Sequence, residues 1–225
     1  MNKYFCRSKN SSTYKVDPIK NTGEILAIKR LLRNSPRDLL LFTIGINTWL
    51  CISDLLNIRI ADIKDLTPAQ GLIVRPDKHG EQGTLIINQT IHQALQMYLQ
   101  YLSGRGKRDD QEYLFASRKG GKPLTVSTIN NMVKSWTKSV GMEGNYGGQS
   151  LRKTWGYHHW VANNTDYYCI SKKFNHGTES ITKRYLGIEQ GHSNFMQYLE
   201  IGAGNAIPEC YTLPRLSEAG HSAAA

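Results

Sequence analysis

Between Gln111 and Ile188 the chain sets eleven basic residues against four acidic ones: Arg118, Lys119, Lys122, Lys134, Lys138, Arg152, Lys153, Lys172, Lys173, Lys183 and Arg184. Groups of this kind bind phosphate, arginine as a planar bidentate fork and lysine as a compact charge. The stretch carries +7 of a formal net charge of +10. A solvated face accounts for any single lysine, but the cluster as a whole favours contact with DNA or RNA. Cys6, Cys51, Cys169 and Cys210 lie far apart, with no CxxC or Cys/His spacing. That argues against a zinc site and a disulfide scaffold, and for a reducing compartment.

Those residues need a scaffold. A length of 225 residues, 40% of them hydrophobic, suffices for one well-cored domain. With 20% charged and 9% aromatic residues, the composition is not that of a disordered chain. The longest apolar run, residues 39–46, is too short to cross a bilayer, and no cationic leader opens the sequence. A soluble cytoplasmic protein is expected, with no membrane contact.

Residues 1–20 read as a flexible arm, 21–202 as the domain and 203–225 as an irregular tail. Asn21 and Glu24 have the spacing of a capping box ahead of Ile25, Ile28, Leu31 and Leu32. Ser35-Pro36-Arg37-Asp38 marks a helix start in which the serine hydroxyl caps. The following LLLFTIGI predicts a central buried helix, and residues 52–57 a further one. Residues 61–63, 71–75 and 84–87 predict a three-stranded sheet, with Lys78 in the Asp77-Lys78-His79-Gly80 bend. Helices follow over 90–102, from Thr125 or Ser127 to Val140, and over 150–162, 166–174 and 179–186; residues 144–148 read as glycine-rich and mobile. The fold class is mixed α/β, mainly α-helical with a small three-stranded antiparallel sheet. Phe195, Met196, Tyr198, Leu199 and Ile201 form a last amphipathic segment, over 194–201, either docking on a second copy as a homo-oligomer or folding back on its own core.

Three stretches together resemble the catalytic domain of the tyrosine recombinases, the phage-integrase family. TWLCISDLLNIRIADI is similar to its first arginine motif, LRKTWGYHHW to its second, and FNHGTESITKRYLGI to the segment bearing its nucleophile. The resemblance implies a fold and a reaction: a tyrosine hydroxyl attacks a DNA phosphodiester, leaving a 3′-phosphotyrosyl link and a 5′-hydroxyl. Guanidinium and imidazole donors stabilise the phosphorane, and a lysine protonates the leaving oxygen. It implies no metal and no cofactor, because the protein–DNA ester conserves the bond energy. By position it makes Tyr185 the nucleophile, Lys78 the general acid, Arg152 the second arginine and His176 the phosphate donor. Double-stranded DNA is the implied partner. Lys78, Arg118, Lys119, Lys122, Arg152, Lys153, Lys172, Lys173, Lys183 and Arg184 are the implied contacts, in a nucleoid-associated or phage-encoded protein.

Two positions depart from the family pattern. Cys51 stands where the first arginine belongs, and Gln149 where a histidine precedes the second arginine by three residues; Trp49 stands at a usual glycine. A thiol cannot supply a permanently charged bidentate donor, and glutamine cannot take a proton at neutral pH. The expectation is a DNA-binding protein with impaired cleavage. The alternatives are an active integrase working through Tyr185 and an interaction module that does not bind DNA.

Overall fold

A computed structural model describes residues 16–74, 83–106, 109–117, 121–163 and 166–188. Helix α1 (Thr22–Leu32) turns Ile25, Ile28 and Leu32 inward at helical spacing. Its cap is simpler than a capping box: the Asn21 side chain accepts from the Gly23 N–H. Helix α2 (Pro36–Asn47) starts on the proline, but the Ser35 hydroxyl makes no capping bond; Asp38 pairs with Arg37 at 2.9 Å in the first turn. Every residue from Leu40 to Ile46 in α2 is buried, as an apolar helix without a polar face requires. Phe42 meets Trp136 edge-on at 6.1 Å.

Short helices α3 (Ile52–Leu55) and α4 (Ile60–Ile63) lead to strands β1 (Gly71–Val74) and β2 (Gly83–Ile86). The two strands pair antiparallel, with Gly71 opposite Ile86 and Val74 opposite Gly83. The sheet has two strands and not the expected three, because residues 61–63 belong to α4. There the Asp62 carboxylate accepts the Arg59 N–H at 2.8 Å and closes a helical turn. Ile60 and Ile63, three apart, both point into the core. Just ahead of α4, Arg59 makes an isolated antiparallel bridge to Tyr113.

Helix α5 (Gln89–Ser103) is capped by Asn88, which accepts from the Ile91 N–H, and α6 (Val126–Ser139) by Thr125, which accepts from the Thr128 N–H. The long α7 (Gly148–Asn163) packs on α2, and α8 (Tyr167–Phe174) and α9 (Glu179–Leu186) close over it. Gly45 sets the α2–α7 crossing, since a Cβ there would come within 2.7 Å of Leu151. Gly156 does the same for α7 against α8 and α9: a Cβ would meet the Phe174 ring at 2.6 Å and Leu186 at 2.9 Å. Gly156→Ala is therefore expected to destabilise the fold by about 1–3 kcal/mol through overpacking, read from urea unfolding. An unchanged midpoint would show that Phe174 repacks freely.

Two segments expected to be loose are held. Of the arm, residues 1–15 lie outside the described residues, whereas 16–20 form a strap along α7. The Ile19 N–H donates to Thr154 Oγ1 at 2.8 Å, its carbonyl bonds His158 Nε2 at 2.9 Å, and its side chain is fully buried. The glycine-rich stretch is also fixed: the Asp17 N–H donates to the Asn145 carbonyl at 2.7 Å, and the Gly148 N–H to Asn130 Oδ1 at 2.7 Å. Paired backbone groups leave little slack in either segment. Among the described residues, no helix is long and apolar enough to cross a membrane. Residues 194–201 and the tail lie outside the described residues.

Candidate active site

The sequence LRKTWGYHHW puts three different stripes on α7. Residues 152, 155 and 159 share one face at helical spacing, 153, 156 and 160 the next, and 154 and 158 a third. The third face takes the strap. The first builds an aromatic wall: Trp155 lies 4.3 Å from the His159 ring and 5.7 Å from Phe174, and Trp49 lies 5.5 Å from Trp155.

Arg152 projects along this wall. Its Nη1 donates to Cys51 Sγ at 3.2 Å, and its guanidinium carbon lies 4.9 Å from the centre of the Phe174 ring. Its Nε–H is buried and has no hydrogen-bond partner among the described residues. A buried donor without a partner costs about 1–3 kcal/mol, so this atom suits an incoming acceptor such as a phosphate oxygen. Cys51 reaches Arg152 because it is the residue ahead of the first turn of α3, in extended backbone.

His176 and Tyr185 also pack against Phe174. The α8 helix ends in a left-handed residue, Asn175 with φ 55°, and the His176 and Asn175 N–H groups return to the Ser171 and Lys172 carbonyls. This is a Schellman-type ending, which asparagine tolerates better than most side chains. It presents His176 to the Tyr185 ring at 5.0 Å, and both rings lie 5.3 Å from Phe174. His176 Nδ1 is 2.9 Å from the Thr182 hydroxyl, which fixes the imidazole plane. Burial first, then the charges of Arg152 and Lys153, push the His176 pKa down to about 4, so the ring is neutral at pH 7.

His159 is likewise pushed down to about 4, by burial and by His158. For both rings the folded value lies below the ordinary 6.5, so between pH 6.5 and 4 the unfolded chain binds more protons. Stability is thus fully present above pH 6.5 and is lost as pH falls toward 4. Urea midpoints at pH 7.5, 6 and 5 are expected to decline in that order; a flat profile contradicts the neutral assignment.

The expected site residues fall in different places. Arg152, His176 and Tyr185 come together around Phe174, with Cys51 against Arg152. Gln149 lies exposed on the first turn of α7. Lys78, Arg118 and Lys119 lie outside the described residues. Lys122, Lys172, Lys173 and Arg184 are exposed and Lys183 is half-buried. Lys172 lies over Tyr168 at 5.2 Å, Lys173 over Trp49 at 4.4 Å and Lys183 over Tyr167 at 4.3 Å.

Lys153 is a correction. Expected as a surface contact to DNA, it is 3% exposed. Its Nζ donates to the Val16 carbonyl at 2.8 Å and sits 4.5 Å from the centre of the Tyr185 ring. The cause is its stripe: residues 153 and 156 face α9, and the lack of a side chain at Gly156 draws α9 in. The aromatic wall and Thr182 also escaped sequence reasoning. The three-residue spacing of Arg152 and Trp155 was the available signal for the wall; nothing local marks Thr182. Arg59, within the first motif, is engaged elsewhere: it stacks on Tyr113 at 4.6 Å and donates to the Gln111 carbonyl. Among the described residues, no three metal-ligating side chains come together.

Comparison with known proteins bears on the family and the fold. The model of the phage integrase family matches residues 21–192. A probable integrase/recombinase of Bacillus subtilis, YoeC, is 30% identical over 176 residues, covering 78% of this chain and 91% of that protein. The crystal structure of XerA recombinase superposes with a TM-score of 0.63 at 22% identity, covering 77% of this chain and 62% of that one. XerH site-specific recombinase, solved bound to a palindromic difH substrate as a post-cleavage complex, gives 0.59 at 17% identity, covering 80% and 53%. The chain thus spans less than two thirds of either solved protein, and these two likenesses concern the fold.

Proposed function

The chain belongs to the phage integrase family, and from that premise we propose that it binds double-stranded DNA on the scaffold of a site-specific tyrosine recombinase, with strand cleavage impaired at Cys51 and Gln149. The observation that carries this reading is Arg152, whose buried Nε–H lacks a partner among the described residues, beside Cys51 and within the cluster that holds His176 and Tyr185. A phosphate there would accept from Arg152 and from neutral His176. The exposed Lys122, Lys172, Lys173 and Arg184 would hold the flanking backbone. The protein would act in the cytoplasm, on the nucleoid of a bacterium or as a phage product.

The chemistry is a transesterification. Tyr185 Oη forms a bond to phosphorus, the bond from phosphorus to the 5′ oxygen breaks, and the leaving oxygen takes a proton from Lys78 as general acid. The proton lost by Tyr185 passes to solvent, because Gln149 offers no titrating acceptor. At Cys51 the cage has a neutral thiol where a guanidinium would neutralise the phosphorane. Losing one such donor costs about 10²–10³ in rate.

A fluorescence anisotropy titration of duplex DNA across salt concentrations tests the binding, and a pool of random nicked duplexes tests the cleavage. Affinity that falls steeply with salt, together with scarce covalent adduct, is the expected result. Abundant adduct, lost in Tyr185→Phe, would establish the second reading, an active integrase, which the retained grouping of Arg152, His176 and Tyr185 favours. No salt-sensitive affinity would leave only an interaction module.

A further inference from the structure

Lys153 poses a physical problem that the proposed reaction does not use. An ammonium taken out of water costs several kcal/mol unless it is compensated, and this one is 3% exposed. Two of its contacts are a carbonyl and an aromatic face: Val16 O at 2.8 Å and the Tyr185 ring at 4.5 Å. Both are favourable for a cation, and the second strengthens when desolvated. Neither the position nor the partners are accidental. Gly156, one turn on, admits α9 so closely that a Cβ would stand 2.9 Å from Leu186, the neighbour of Tyr185.

Tyr185 is thereby held from several directions. Phe174 and His176 meet its ring edge-on, at interplanar angles of 67° and 74°, and Lys153 lies over a ring face. The same ammonium reaches the strap, which has its own ties to α7 and to Asn145: Ile19 to Thr154 and His158, and Asp17 to Asn145. One buried charge therefore joins the chain at Val16 to the side chain at Tyr185.

We propose that Lys153 is a positioning residue for Tyr185, and that its bond to the Val16 carbonyl makes the strap of residues 16–20 a determinant of how firmly that tyrosine is held. The catalytic meaning of this link rests on reading Tyr185 as the attacking group; the link itself does not. A tyrosine held in one orientation needs no reordering when a phosphate arrives, and misplacement by about 1 Å can cost on the order of a hundredfold in rate. Movement of the strap would release Lys153 and with it Tyr185.

Fluorine NMR of the full chain labelled with 3-fluorotyrosine tests the link without DNA. Tyr185→Phe assigns the Tyr185 signal among the 12 tyrosines. Lys153→Met is expected to move and broaden that signal more than any other, and Lys153→Arg, which keeps a cation, to restore it. A Tyr185 signal unchanged in a folded Lys153→Met protein overturns the proposal. Should Lys153→Met not fold, the reciprocal experiment decides. Amide exchange at Asp17 and Ile19 is expected to rise about tenfold in Tyr185→Leu, which removes the ring under the ammonium, and to stay at the parent rate in Tyr185→Phe. Equal protection in all three proteins rejects the link. Since no step involves cleavage, an inactive but linked protein is told apart from an unlinked one.

Discussion

Cys51→Arg combined with Gln149→His is expected to raise covalent adduct formation on a cognate nicked duplex by about 10²–10³ or more over the parent, with Tyr185→Phe abolishing the gain. The two changes act on one phosphate cage, so the double variant should exceed either single one without the factors multiplying. The geometry adds a second expectation. Cys51 Sγ stands 3.2 Å from Arg152 Nη1, so a guanidinium introduced at 51 faces another of the same charge. Without an anion the variant is expected to melt below the parent, and duplex DNA or sulfate should recover the loss. Adduct unchanged by the double substitution would place the defect elsewhere in the chain.

Arg152→Met is expected to separate binding from stability. Loss of charge-assisted bonds to a phosphate should weaken duplex affinity by about 10- to 100-fold and lower the salt slope by about one. The same change removes a buried Nε–H that has no partner among the described residues and leaves an apolar chain against Phe174. The melting temperature is therefore expected to hold or rise while binding falls, as happens where a site is kept at the expense of stability. Anisotropy and thermal melts on one preparation read both. A fall in melting temperature with affinity intact would mean that Arg152 serves the fold.

Much of the scaffold was legible because its signals are local. Helical periodicity and caps located α1, α2, α5 and α6, and Thr125 caps α6 as its position ahead of the apolar run implied. The motifs singled out Arg152, His176 and Tyr185, whose side chains all pack against Phe174. Residues 61–63 misled because β-prone residues at three-residue spacing satisfy a helical turn as well as a strand, and Asp62 settled the choice by capping. The Ser35 hydroxyl failed to cap although the sequence around it was a good start signal.

Lys153 shows where sequence reasoning stops. Residue type says cation, and a charge count places it with the other ten basic residues between Gln111 and Ile188. Which side of α7 is covered depends on α9 and on the strap, segments some thirty residues after it and more than a hundred before it. The amino-acid order by itself determined the family, the helical framework and the identities at Cys51, Gln149, Arg152, His176 and Tyr185. Only the tertiary structure decided that Arg152 spends a bond on Cys51, that burial and neighbouring charges hold His176 neutral, and that one lysine is withdrawn from the surface to lie against Tyr185. Propensity and capping act within a few residues, whereas burial and electrostatic environment are set by whichever distant segments the packed chain brings together.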